Sequence, residues 1–293
     1  DKAEMPTFPS KPNKKRTLML ALVLGLFGGV GLAFLIEYLD NTVKSEAELE
    51  KRFDRTVLGS IEKIGKKERI ETDIVEKPLS PLAESFRLIR SGLLLSSADQ
   101  PPGIILVTSM EQSEGKTCVA LNVARVLAQD QKKVLIIDCD LRRPRMHKLF
   151  RLENKEGLSS YLSGNIDTVT VEEIADEPLS MITSGPVPPN PSELLSSKMM
   201  LALLAEMEET YDFVLLDSPP VQSVTDSLAL ASAASGTIVV VHYGKTTYDM
   251  LAGGMKKLND VTAQVLGFVI NGLKKGDAGA YYYGYSGYYR KYT

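Results

Sequence analysis

Between Leu18 and Ile36 the chain reads LMLALVLGLFGGVGLAFLI, 19 residues without a charge. As a helix rising about 1.5 Å per residue, such a run spans about 28 Å. A bilayer core is about 30 Å thick, so the run is long enough to cross it. It is longer than the apolar core of a signal peptide, and no small-residue cleavage site follows. Ala21, Gly25, Gly29 and Ala33 recur every four residues and would let a second helix approach closely. Residues 17–37 are therefore expected to form one transmembrane helix. Residues 1–16 carry Pro6, Pro9 and Pro12 and five positive against two negative charges. Pro-rich sequence of this kind makes an extended approach segment. By the positive-inside rule alone, these charges place the N-terminal side in the cytoplasm.

The rest has the composition of a protein with a substantial core: over all 293 residues, 44% are apolar and 24% charged. A net charge of -3 argues against a nucleic-acid partner. Cys118 and Cys139 do not make a disulfide framework, and two histidines rule out a His-rich metal site. Ser45 and Glu48 fit a capping box for a short helix ending near Phe53. Residues 38–79 are otherwise a charged juxtamembrane linker with one strand-like run, Val57–Ile61. From residue 80 the pattern alternates. Strands are expected at 103–109, 133–138, 212–217, 237–242 and 264–271. Helices are expected at 81–98, 115–130, 191–210, 226–234 and 246–260. Alternation of this kind implies an α/β fold, a mostly parallel sheet covered by helices on both faces.

Three strand ends carry the chemistry. Ile104–Val107 runs into Ser109-Met-Glu-Gln-Ser-Glu-Gly-Lys-Thr117, which opens a helix. Gly115 lets backbone amides turn toward a phosphate, Lys116 supplies a cation, and Thr117 supplies a hydroxyl for Mg²⁺. The nucleotide-binding stretch is thus Ser113, Glu114, Gly115, Lys116, Thr117 and Cys118. Met110 stands where the usual pattern has its first glycine. The apolar run Val134–Ile137 ends in Asp138-Cys-Asp140-Leu-Arg142, and Phe213–Leu216 ends in Asp217-Ser-Pro-Pro. Parallel sheets bind ligands at the carboxyl ends of their strands. One Lys, one Thr and three Asp brought together there make a site for Mg²⁺ and a nucleotide.

In these motifs, together with its terminal tyrosines, the sequence resembles the bacterial tyrosine kinases, P-loop enzymes that accompany exopolysaccharide export. The resemblance extends over about residues 5–293, and the Pro-rich approach and helix look like the end of a polysaccharide co-polymerase segment. It implies a helix running from outside to inside, which overrides the flanking-charge signal. It places residues 37–293 on the cytoplasmic side of the bacterial inner membrane and residues 1–16 outside. The implied kinase domain covers residues 80–275 and uses ATP and Mg²⁺. Lys116 would hold phosphates. Thr117, Asp140 and Asp217 would hold the metal. Asp138 would take the proton of an incoming tyrosine or help bind the metal. Lys116, Asp138 and Asp140 are then the catalytic set, and Asn271, ending the last strand, would meet adenine.

Glu84, Arg87 and Arg90 share one side of a helix whose other face is Leu82, Phe86, Ile89 and Leu93. On its own this is an intrahelical ion pair. The resemblance makes it a contact with the neighbouring subunit of a homo-oligomeric ring. Residues 276–293 hold Tyr281, Tyr282, Tyr283, Tyr285, Tyr288, Tyr289 and Tyr292, seven of the chain's 12 tyrosines. They read either as a low-complexity end or, by the resemblance, as phosphoacceptors. Eighteen residues at about 3.3 Å each reach some 60 Å, enough to enter a neighbour's site. The implied partners are the membrane, the polysaccharide polymerisation and export machinery, and a protein-tyrosine phosphatase. The related partition ATPases carry a second loop lysine where this chain has Glu111. A partition-type ATPase and a non-catalytic ATP-dependent assembly switch are the alternatives.

Overall fold

The computed structural model describes residues 13–63, 73–96, 101–174 and 177–274. The Pro-rich approach and the seven terminal tyrosines lie outside the described residues. The chain forms two units, residues 1–41 and residues 42–293.

The first unit is helix α1 (Lys14–Leu39), capped by Asn13, whose side chain accepts from the Arg16 amide at 3.3 Å. No residue of α1 is buried within the structure, and its mean hydropathy reaches 2.5. By length and composition it is a candidate membrane span.

In the second unit the strands are β1 (Val57–Glu62), β2 (Ile104–Ser109), β3 (Val134–Asp138), β4 (Glu172–Glu173), β5 (Leu179–Ile182), β6 (Phe213–Asp217), β7 (Gly236–His242) and β8 (Val265–Leu273). They form one sheet in the order β1-β8-β7-β2-β6-β3-β5-β4. Every pairing is parallel except β4 with β5. The helices are α2 (Glu46–Phe53), α3 (Asp73–Glu76), α4 (Pro81–Leu94), α5 (Lys116–Ala128), α6 (Met146–Phe150), α7 (Leu158–Leu162), α8 (Pro191–Leu195), α9 (Lys198–Thr210), α10 (Asp226–Ala233) and α11 (Tyr248–Asp260).

The central strands β2, β3 and β6 are buried at every position and mostly apolar because both faces are covered. Leu106, Ile137, Leu216 and Val239 pack into one buried cluster with α9 and α11. Ile105, Val107, Ile136, Leu215 and Val240 pack into another with α4 and α5. On α4 the expected apolar face is present: Phe86, Ile89 and Leu93 are buried and Leu82 packs against them.

Three expectations are corrected. Residues 42–62 are not a linker. Strand β1 adds to the sheet edge alongside β8, and Val43, Leu49 and Ile61 are fully buried. The strand-like run expected at Val57–Ile61 is this strand, but its three apolar residues do not reveal the distant partner that makes it part of the sheet. The helix expected over 191–210 is two, because the Ser197 side chain accepts from the Met200 amide and starts α9 afresh. The stretch 139–190, with no element expected, holds α6, α7, β4 and β5.

Candidate active site

Strand order explains the site. β2, β6 and β3 are neighbours, so their carboxyl ends lie side by side. Asp138 and Asp217 are directly paired across β3 and β6, and Asp217 pairs with Val107 of β2.

The loop after β2 turns sharply into α5. Ser113 (φ 63°) and Gly115 (φ 96°) both adopt left-handed backbone. A β-carbon on Gly115 would lie 2.1 Å from Asn271 Nδ2, so glycine is required for space as well as conformation. Met110 is fully buried and packs on Gly254 of α11, where an added β-carbon would meet its sulfur at 2.0 Å. The missing first glycine is thus replaced by a core contact. No side chain caps α5, which leaves its first amides for an anion.

Glu114 is buried and holds the loop together. Its Oε2 accepts from the Glu111 amide at 2.8 Å, and its Oε1 accepts from the Thr246 hydroxyl. Burial pushes its carboxyl above the usual range despite these bonds. Its carbonyl accepts from Asn271 Nδ2 at 2.8 Å. Asn271 therefore touches the loop backbone. Outside the loop, Lys245 Nζ donates to the Gln112 carbonyl at 3.0 Å and Arg143 donates to the Gln112 side chain at 2.5 Å.

Lys116 Nζ lies 3.1 Å from Asp140 Oδ2. Burial works to lower its pKa, but Asp217, Asp140 and Asp138 outweigh burial and raise it, so the cation is secure. Thr117 donates its hydroxyl to Asp217. Asp217 is buried, and among the described residues its Oδ1 has no hydrogen-bond partner. Its pKa is pushed up to about 6, chiefly by burial. Asp138 is fully buried. Its Oδ1 accepts from the Asp140 amide at 3.2 Å, and its Oδ2 from the amides of Arg145 (3.3 Å) and Met146 (3.2 Å). Burial first, and the Asp217 charge next, push Asp138 up to about 8. The structure therefore brings Lys116, Thr117, Asp138, Asp140 and Asp217 together, while Ser113 is exposed and Cys118 half-buried at the helix start.

A family model described as an AAA domain matches residues 103–265. The chain is 33% identical over 290 residues to the tyrosine-protein kinase ptk of Acinetobacter johnsonii, covering 95% of this chain and 40% of that protein. It is 40% identical over 210 residues to the tyrosine-protein kinase YwqD of Bacillus subtilis (strain 168), covering 71% of this chain and 89% of that one. The chain belongs to the bacterial tyrosine-protein kinases. Among solved structures it superposes on the kinase domain of the Escherichia coli tyrosine kinase ETK with a TM-score of 0.75 at 30% identity. That match covers 82% of this chain and 98% of the solved domain.

In this kinase-family domain the sequence missed three supports of the site. Arg142 reaches Asp226 at the start of α10 with Nε (2.8 Å) and Nη2 (3.1 Å), and Ser192 donates to the same carboxylate. Thr246, which holds Glu114, is itself fixed by the His242 amide at 2.9 Å and, through its carbonyl, by Val43 N at 2.8 Å. Arg143 and Lys245 clasp Gln112. Only Arg142 carried a signal, its place two residues after Asp140. On α4, Glu84 pairs with Arg87 at 3.0 Å, the local reading of that motif. Arg90 donates to the Val126 carbonyl at 2.9 Å and pairs with Asp130 at 3.0 Å.

Proposed function

We propose that the chain is an ATP- and Mg²⁺-dependent protein-tyrosine kinase that phosphorylates the tyrosines of residues 281–292, between neighbouring copies of a ring. The observation that carries the reading is the register of Asp138 with Asp217 beside Lys116, at the end of a strand whose loop opens an uncapped helix. The loop amides from Ser113 to Cys118 and the Lys116 ammonium hold the phosphates. The residues present fit Mg²⁺. Asp217 Oδ1 is buried without a partner, and Thr117, Asp138 and Asp140 lie around it. Among the described residues no three acidic, His or Cys side chains form a cage of their own. A Mg²⁺ ion there would fill the rest of its shell with waters and phosphate oxygens. When bound it neutralises charge on the transferring phosphoryl group.

Asp138 orients the acceptor hydroxyl and takes its proton. Three backbone amides fix the direction of its carboxylate. An ordinary aspartate falls about six pKa units short of a phenol near 10. With Mg²⁺ bound beside it, the ionised carboxylate of Asp138 would be favoured and the pKa of the phenol lowered, narrowing that gap. Glu84, Arg87 and Arg90 supply the subunit contact. Anchored by α1 in the cell membrane with residues 37–293 in the cytoplasm, the kinase regulates polysaccharide polymerisation and export, with a tyrosine phosphatase resetting it.

Transfer between copies is tested by mixing full-length Lys116→Met chain with a chain lacking residues 280–293, in detergent with ATP and Mg²⁺. Phosphotyrosine on the Lys116→Met chain supports the reading. Its absence, with phosphate incorporated by the unmodified chain alone, overturns transfer between copies.

A further inference from the structure

The stretch following Asp140 reads Leu-Arg-Arg-Pro-Arg-Met-His-Lys-Leu-Phe-Arg151. Of its cations, Arg142 is committed to Asp226. Arg143, Arg145 and Lys148 are exposed, and none has an ion pair among the described residues. They line one open groove, whose other walls include Pro144, Pro186 and Val187. Val187 is 60% exposed. The groove begins at the catalytic edge. The amide of Arg145 donates to Asp138 Oδ2, and the Arg143 side chain reaches Gln112 in the phosphate loop.

Unpaired cations over proline and valine walls suit a group with a flat apolar body and an anionic tip. Guanidinium groups bind phosphate through paired hydrogen bonds, and ammonium groups add point charge. The described residues 141–151 would repel cations and leave a neutral phenol with little electrostatic attraction. Segment 276–293 carries one Asp against one Arg and one Lys, a charge of +1. Each phosphotyrosine adds about -1.5 to -2, so two bring the segment to about -2 to -3.

We propose that this groove binds segment 276–293 after, and not before, its tyrosines are phosphorylated. The inference rests on the reading of that segment as the kinase's own substrate. A phosphotyrosine held there keeps the following tyrosines beside Asp138, so phosphorylation of the cluster proceeds in succession rather than by separate encounters. The groove's place beside Asp138, where the acceptor tyrosine would come, favours a phosphorylated side chain over an anionic lipid surface.

The test uses the dephosphorylated full-length chain in detergent without ATP, and fluorescein-labelled synthetic peptides of residues 276–293. One peptide carries phosphate on Tyr285 and Tyr288, and one carries none. Anisotropy is expected to show the phosphopeptide bound roughly tenfold tighter or more, with affinity falling as salt rises. Arg145→Glu with Lys148→Glu removes that preference, while Arg145→Lys with Lys148→Arg keeps it. Fluorescent ATP-analogue binding by each variant reports that the domain is folded. Equal affinity for the two peptides overturns the proposal, as does a preference that survives the double charge reversal. Charge-dependent binding of phosphatidylglycerol vesicles without a peptide preference overturns it in favour of a membrane surface. No catalysis enters these measurements, so their failure is distinct from failure of the kinase reading.

Discussion

Lys116 Nζ lies 3.1 Å from Asp140 Oδ2, with both side chains mostly shielded from solvent. The loop cation is therefore parked on a carboxylate of the neighbouring β3 end. On the proposed function, phosphates entering the loop would offer Lys116 a stronger partner and leave Asp140 available to the metal.

Asp217 gives a prediction with a definite sign. Its pKa is raised from 3.8 to about 6 by burial, against the pull of Lys116 and Thr117. Below the unfolded value both states are protonated and the group contributes nothing. As pH rises through that window the unfolded chain releases the proton first, so folding stability falls, and the loss is complete above the folded value. Asp217→Asn removes this penalty and offers an amide N–H at the position of the partnerless Oδ1. Urea unfolding without Mg²⁺ or nucleotide should find Asp217→Asn more stable than the parent chain at pH 8 and no more stable at pH 4. Added Mg²⁺ should raise the stability of the parent only.

The boundary of the folded unit is a second test. Val43, Leu49, Leu58 and Ile61 are all buried in it. Each such side chain contributes about 1.5–3 kcal/mol, and a whole domain is stable by about 5–15 kcal/mol. Residues 42–293 are expected to give a cooperative thermal transition, whereas residues 80–293 should aggregate or unfold. A cooperative transition of equal midpoint for both would refute the placement of β1.

The Arg142–Asp226 pair ties the β3 end to α10. Asp226 is buried and Arg142 remains 41% exposed, so solvent screens part of the interaction. Asp226→Ala should cost about 1–2 kcal/mol of stability, less than a fully buried pair, measured by denaturant unfolding. The pair also holds the backbone just after Asp140, so phosphate transfer should fall more than ATP binding.

The central strands and the site were readable because their signals are local. An apolar run such as Val134–Ile137 ends in its own carboxylate, and Gly115-Lys116-Thr117 marks its own helix start. What escaped depends on distance. β1 was legible as a strand-like run but its place beside β8 was not, and β4 is two glutamates paired with β5. Ser196 and Ser197 sit inside an otherwise helix-favouring run, and the new start at Ser197 shows only in its bond from the Met200 amide. The place of Glu114 in the motif does not show that its side chain binds Thr246, which lies 132 residues further along the chain. Asn271 shows the same limit, since nothing in its place near the end of β8 tells which loop it will meet.

The most direct measurement of the central claim is phosphotyrosine formation by the full-length chain in detergent with ATP and Mg²⁺, beside Lys116→Met. Losing one preorganised charge at a transferring phosphoryl group costs about 10²–10³ in rate. The account predicts phosphotyrosine within residues 281–292, mapped by mass spectrometry, and a loss of at least about 10² in the Lys116→Met chain. ATP-dependent assembly with no phosphotyrosine, or phosphotyrosine formed equally without Lys116, would contradict it.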